Sequence, residues 1–253
     1  MNLLDLTGKK ALVIGTGGIG AALAAGLARH GADVAVADKD PASSAKAAAG
    51  VRAFGCRTMA KTVDVADESS VAALQHDVAE AWSAVDILVN AAGIAAREAS
   101  VSVALDSFRK TMEINALGTF ICCRVFGREM AQSGGGKIVN ISSVRASYGT
   151  PAGMADYCAS KGAVDALTRQ LAVEWAPHRV YVNAIAPTVV ETDFTAPILS
   201  DPNASASLVE RIPLGRWAQP EDLVGPVLFF ASAASDYVTG QILFVDGGLT
   251  AAM

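Results

Sequence analysis

The run Gly15-Thr16-Gly17-Gly18-Ile19-Gly20 constrains this chain more than any other stretch. It follows a short apolar, β-branched segment at 11–14 and opens an Ala-rich segment of helical spacing at 19–30. A strand that turns through glycines into a helix leaves the first N–H groups of that helix free, and those groups favour an anion. Only a backbone without Cβ can turn that tightly and let a pyrophosphate approach. The second apolar segment, 33–37, ends at Asp38, 18 residues after Gly20. A carboxylate near that spacing accepts the hydroxyls of an adenosine ribose and repels a 2′-phosphate. The expectation is a dinucleotide site that prefers NAD to NADP, with the Lys39 cation softening the preference.

Seven short runs, at 11–14, 33–37, 58–63, 86–89, 137–141, 180–185 and 242–245, alternate with longer segments such as 19–30, 69–82, 108–131 and 155–175. Apolarity in the runs is largely continuous rather than alternating, as in parallel strands buried on both faces. The alternation predicts an α/β fold: a Rossmann-type, doubly wound parallel seven-stranded sheet with helices on both faces. No composition break divides the 253 residues, so a single domain over 1–253 is expected. One segment stands apart. Residues 191–218, between the sixth run and Pro220-Glu221-Asp222, are rich in Pro, Ser, Asp and small side chains. They leave the carboxyl end of a strand, where open α/β sheets bind ligands, and a substrate lid is expected there.

Lys and Arg number 20 against 25 Asp and Glu, a net charge of −5, which argues against the cationic surface that nucleic acid or anionic lipid requires. Neither is an expected partner. No apolar run approaches the ~20 residues that span a bilayer. Residues 1–10 lack the apolar core of a secretory signal, so a cytoplasmic location is expected. Cys56, Cys122, Cys123 and Cys158 form no CxxC pair, and His30, His76 and His178 are scattered. Packed, reduced thiols and no metal site are the expectation.

Tyr157 and Lys161 lie four apart in a helical segment and so share a face. A phenol with an ordinary pKa of about 10 is a poor base at neutral pH, and a nearby ammonium favours its phenolate. That pairing suits proton transfer. Around it stand Asn90-Ala91-Ala92-Gly93 after the fourth run, Asn115 in a helical segment and Ser142-Ser143 after the fifth run. Tyr157-Cys158-Ala159-Ser160-Lys161, Pro220-Glu221-Asp222 and Val245-Asp246-Gly247-Gly248 complete an ordered set. Together these residues resemble the short-chain dehydrogenase/reductase family, over 8–248.

The resemblance implies reversible oxidation of a secondary alcohol to a ketone by hydride transfer. Tyr157 would exchange the substrate proton, Lys161 would bind the nicotinamide ribose, and Ser143 would orient the substrate oxygen. Asn115 would hold a water linking Lys161 to solvent. Gly15, Thr16, Gly18, Ile19 and Gly20 would contact the cofactor at the turn, with Asp38 and Lys39 at the ribose. Asp64 and Val65 would lie beside the adenine, and Asn90, Ala91 and Gly93 would shape the floor. Pro187 and Val190 would meet the nicotinamide, and Thr192 the phosphates.

Three features depart from the family pattern. Ile14 replaces a Thr, and the glycine loop is one residue shorter. Ser143 and Tyr157 are 14 apart, one more than the commonest spacing, which makes Ser142 the alternative to Ser143. Pro187-Thr188 replaces Pro-Gly, so the turn must use a conformation open to a β-branched residue.

Arg145, Tyr148, Met154 and Phe194 are expected to face the substrate. A cation among polar and aromatic groups points to a small polyol, sugar or sugar acid, whose carboxylate could pair with Arg145. The overall look is closest to bacterial sugar-alcohol and gluconate dehydrogenases. A 3-oxoacyl-carrier-protein reductase is the alternative, and a non-catalytic NAD-sensing regulator the alternative from another class. The family resemblance also implies a homotetramer.

Overall fold

The structure is a computed structural model that describes residues 2–151 and 153–252. Seven parallel strands form one sheet: β1 (Lys10–Ile14), β2 (Asp33–Asp38), β3 (Thr58–Thr62), β4 (Ile87–Asn90), β5 (Gly136–Ile141), β6 (Val180–Pro187) and β7 (Ile242–Val245). Their order is β3-β2-β1-β4-β5-β6-β7, and each agrees with the predicted run to within two residues. Every neighbouring pair is parallel. The direction of winding reverses between β1 and β4. There Ile14 is level with both Ala37 of β2 and Asn90 of β4, so three strand ends open one crevice at the switch point.

Helices cover both faces: α1 (Gly18–Arg29), α2 (Pro41–Arg52), α3 (Glu68–Trp82), α4 (Leu105–Met112), α5 (Gly118–Gln132), α6 (Ala155–Trp175), α7 (Ala196–Leu199), α8 (Pro202–Val209) and α9 (Val224–Ala231). Alternate residues of β1 serve opposite faces. Val13 packs with Leu23 and Leu27 of α1 and Phe230 of α9. Leu12 and Ile14 pack with Trp82 of α3 and Phe126 and Met130 of α5. The central strands are buried along their length, whereas β3 and β7, at the two edges, are partly exposed. Continuous apolarity therefore describes the middle of the sheet and not its margins.

Two local features differ from the sequence expectation. The segment 108–131 is not one α-helix: a single π-turn, Glu113–Leu117, separates α4 from α5. One extra residue in that turn puts the apolar stripes of the two helices out of phase. The segment 191–218 is partly ordered by α7 and α8, and its two ends are stitched together. Glu191 N–H donates to Ala218 O at 2.8 Å, and Ala218 N–H to Val189 O at 3.2 Å. Among the described residues no helix is long and apolar enough to cross a membrane.

Candidate active site

A cleft of about 460 Å3 follows the carboxyl ends of the strands from the glycine turn to Tyr157 and Lys161. At its first end the backbone is shaped by close approach. Gly15 has φ +91°, and a Cβ there would lie 2.3 Å from Ala92 N. A Cβ on Gly20 would lie 1.8 Å from Gly15 O. Gly17 has nothing within 4 Å of its would-be Cβ, although it borders the cleft. α2 and α3 are capped by the carboxylates of Asp40 and Asp67. α1 has no side-chain cap and no acidic residue in its first turn. Its free N–H groups meet an open space bordered by glycine, which fits a dinucleotide pyrophosphate.

The shortened glycine loop has a consequence for Thr16. Its N–H and its hydroxyl both donate to Asp38 Oδ2, at 2.6 and 2.9 Å, and it is buried. Thr16 is absent from the cleft lining. It anchors Asp38 instead. Asp38 Oδ1 accepts from Asp40 N–H at 3.0 Å. A carboxylate has about four acceptor sites, so one on Oδ1 stays available to a ribose hydroxyl. Lys39 and Asp64 line the same end of the cleft and bind each other at 2.5 Å. The hydrogen bond from Lys39 holds the Asp64 carboxyl below its usual range.

Of the remaining expected cofactor residues, Gly18, Ile19, Val65, Ala91, Gly93, Pro187, Val190 and Thr192 all border the cleft. Asn90 does not. Its Nδ2 donates to Asn140 Oδ1 at 2.9 Å and to Cys123 Sγ at 3.2 Å, behind the sheet's edge of the site. Asn90 is thus a buried amide whose Nδ2 ties β4 to Asn140 while its Oδ1 has no partner among the described residues. Thr188 avoids positive φ, as a β-branched side chain requires.

At the far end, α6 brings Tyr157 and Lys161 onto one face, with Lys161 Nζ 5.6 Å from the centre of the Tyr157 ring. Lys161 is buried and donates to Ile141 O at 2.6 Å. Burial pulls its pKa down to about 8, with Asp165 opposing. Burial raises the Tyr157 phenol, while a hydrogen bond from Ser143 and the charges of Arg97 and Arg145 pull it back. The two serines separate clearly. Ser142 donates its hydroxyl to Asp165 within the protein, whereas Ser143 accepts from Arg145 N–H at 3.1 Å and faces Tyr157 across the cleft.

Asn115 is fully buried at the π-turn and does not line the cleft. Its side chain clamps Ile94, accepting from Ile94 N–H and donating to Ile94 O, both at 2.8 Å, and donates to Ser160 Oγ at 3.0 Å. Its carbonyl accepts from Thr119 Oγ1 at 2.7 Å. The side chain's donors are committed, so a water at Asn115 would donate to a remaining lone pair of Oδ1 or of the backbone carbonyl.

On the substrate side Phe194 is 6.3 Å from the Tyr157 ring. Arg145 is half-buried in a 3-10 turn, Val144–Ala146, and donates to Gly149 O at 2.8 Å. Tyr148 turns instead toward Phe244 of β7, with ring centres 6.3 Å apart. Met154 has φ +115° and sits at the start of α6. Arg145, Tyr148 and Met154 are all absent from the lining of the main cleft, whereas Phe194 borders it. Arg97 is the residue that sequence reasoning missed. Its guanidinium lies 4.6 Å over the Phe194 ring and donates to Phe194 O. A lone arginine in the loop after β4 carries no sequence signal, and only the approach of segment 191–218 gives it a role.

A buried ammonium costs stability where it must stay charged. Lys161→Met is expected to raise the free energy of unfolding at pH 7 by roughly 1–3 kcal/mol, as desolvation of a polar group suggests. The native pKa is about 8 against an ordinary 10.5. Between those values the unfolded chain binds more protons, so wild-type stability rises with pH and the variant's advantage shrinks. Urea titrations at pH 7 and near pH 10 check this; an equal or lower midpoint for the variant at pH 7 would refute it.

A family model described as enoyl-(acyl carrier protein) reductase matches residues 13–250. The chain is 40% identical to a 2-dehydro-3-deoxy-D-gluconate 5-dehydrogenase of Dickeya dadantii (strain 3937), covering 98% of both chains. It is 38% identical to a gluconate 5-dehydrogenase of Gluconobacter oxydans (strain 621H), covering 100% of this chain and 98% of that one. Among solved structures, a gluconate 5-dehydrogenase from Burkholderia cenocepacia J2315 in complex with NADP and tartrate superposes with a TM-score of 0.95. The two are 39% identical, over 100% of this chain and 99% of that one. With sheet order, glycine turn and the Tyr157–Lys161 pair in place, the chain belongs to the short-chain dehydrogenase/reductase family, NAD(P)-linked oxidoreductases that interconvert secondary alcohols and ketones.

Proposed function

We propose that this protein oxidises a secondary hydroxyl of a sugar acid, with NAD preferred to NADP. The observation that carries the substrate class is Arg97, a guanidinium stacked on Phe194, itself a cleft-lining residue beside Tyr157, and one whose charge acts on the Tyr157 phenol. It makes no ion pair with a carboxylate among the described residues. A planar cation with free donors pairs well with a carboxylate. The gluconate-type relatives support the same class.

A bound nicotinamide supplies the hydride acceptor. Ser143 and Tyr157 hold the substrate oxygen by hydrogen bonds, and the hydroxyl proton passes to the Tyr157 oxygen as the carbinol becomes a carbonyl. The Lys161 ammonium beneath the ring favours the phenolate that takes that proton. Asn115 positions the loop at Ile94 that forms one wall. Segment 191–218 closes over the site as a lid of the single domain. Exposed apolar side chains, Val173 on α6 and Leu243 and Phe244 on the edge strand β7, support a homotetramer, since such surface is usually covered by a partner.

The NAD preference rests on Asp38, held with one oxygen site toward the cleft, and on Lys39, whose charge Asp64 already takes up. A 2′-phosphate would meet the Asp38 carboxylate, with Lys39 already paired to Asp64. Dehydrogenation of a panel of polyols, aldoses and sugar acids, with NAD and NADP in parallel, tests the whole reading. Sugar acids are expected to lead, and NAD to exceed NADP in kcat/KM. Asp38→Asn is expected to lower the NAD:NADP ratio by about tenfold, the effect of removing one like-charge contact worth ~1.4 kcal/mol. A wild type that works faster with NADP would overturn the cofactor assignment, and the best activity on an uncharged polyol would overturn the substrate class.

A further inference from the structure

Arg145 does not stand alone. Together with Arg211 it lines a second, smaller cavity, closed by Leu208, Trp217 and Thr188. Thr188 borders the main cleft as well, so the small cavity lies next to that cleft with this residue in common. The small cavity measures about 10 Å3, room for one water-sized group. Neither arginine makes an ion pair with a carboxylate among the described residues. Burial disfavours the charge on Arg145, and Arg211 repels it further. Two arginines bordering one cavity, one of them half-buried and with a guanidinium nitrogen on Gly149 O, repel each other and are complementary to an anion between them.

The arrangement has two sides. Arg97, from the loop after β4, engages the outgoing limb of the 191–218 segment at Phe194. Arg145, from the loop after β5, meets the returning limb at Leu208 and Arg211. Tyr157 lies within electrostatic reach of both Arg97 and Arg145. The reacting carbinol, which must sit at Tyr157, therefore has two cations within electrostatic reach.

We propose that Arg145 and Arg211 form a second anion subsite, and that the preferred substrate is a sugar acid carrying a further anionic group, carboxylate or phosphate, at the end remote from Arg97. The inference rests on the sugar-acid reading and narrows it. One oxygen of the remote anion enters the small cavity while its neighbours stay in the main cleft. Arg97 selects for an acid, and the Arg145–Arg211 pair selects for a doubly charged one.

The test compares D-gluconate, D-glucarate and 6-phospho-D-gluconate at matched ionic strength, since surface charge effects are screened by salt. Wild type is expected to show a kcat/KM for at least one of the two more highly charged acids, dianionic D-glucarate or 6-phospho-D-gluconate with nearly three charges, about tenfold or more above that for gluconate, the worth of a hydrogen bond to a charged group. The glucarate and phosphogluconate arms tell carboxylate from phosphate. In Arg145→Met and Arg211→Met the ratio of that acid to gluconate is expected to fall by about tenfold, mainly through KM. Arg97→Met is expected to lower kcat/KM for all three. Arg128→Met, on the exposed face of α5, should leave the ratio unaltered. Gluconate oxidised as well as both more highly charged acids, or a ratio unmoved in Arg145→Met and Arg211→Met, overturns the subsite and leaves the sugar-acid reading standing. Oxidation of none of the three, with turnover of an uncharged polyol, overturns both.

Discussion

Tyr157→Phe should reduce kcat by about 10²–10⁴-fold, the usual contribution of a positioned proton-transfer group, while dinucleotide binding persists. The ring stays in place over Lys161 and against Phe194, so packing hardly changes. Only the oxygen that receives the substrate proton is lost. Steady-state rates beside a direct titration of NAD separate the two effects. A variant that keeps rates within a few-fold of wild type would place the proton transfer elsewhere. A wild type that binds NAD and turns over nothing would favour the sensing regulator instead.

The second large effect is expected at the turn. Gly20→Ala would force a Cβ to within 1.8 Å of Gly15 O, where no side chain can move aside because the obstacle is backbone. Gly15→Ala meets Ala92 N at 2.3 Å and must also hold φ +91°. Overpacking costs about 1–3 kcal/mol, and left-handed backbone adds roughly 1–2. Gly15→Ala should therefore lose about 2–5 kcal/mol of stability, together with NAD affinity. Gly17→Ala is the contrasting case. Its Cβ meets nothing, so the fold should keep its urea midpoint while the added methyl intrudes only on the cleft. Equal destabilisation of Gly15→Ala and Gly17→Ala would mean that close approach does not govern this turn.

Most of the fold was legible because its causes are local. β-branched runs, Ala-rich helices and glycines at one turn each follow from short-range sterics and burial, and the seven strands fell where those runs lie. The Tyr157–Lys161 pair was legible for a similar reason, since a four-residue spacing means one face only on a helix. What was not legible depends on segments meeting in space. The pairing of the Thr16 N–H and hydroxyl with Asp38, 22 residues on, is invisible along the chain. Asn115 sits on a π-turn that an averaged helical period smooths over. Tyr148 and Met154 stand close in sequence to Ser143 and Tyr157, yet Tyr148 packs toward Phe244 and neither lines the cleft. Arg97 acquires its partner only from a residue 97 positions later.

The buried amides of Asn90 and Asn140 bear on how the sheet finds its alignment. The central strands are apolar on both faces, so sliding β4 along β5 by two residues would still bury hydrophobic side chains, and burial alone discriminates poorly among such slips. Asn90 and Asn140 are level with each other and joined by a hydrogen bond, and Asn140 continues to Thr168 Oγ1 on α6 at 3.0 Å. Any slip would strand amides in an apolar layer, at about 1–3 kcal/mol for each unsatisfied group. The chain thus carries a polar vernier in an otherwise featureless oily stack. By locking β4, β5 and α6 to one common height, it brings the loops after β4 and β5 level with Tyr157 before any ligand arrives.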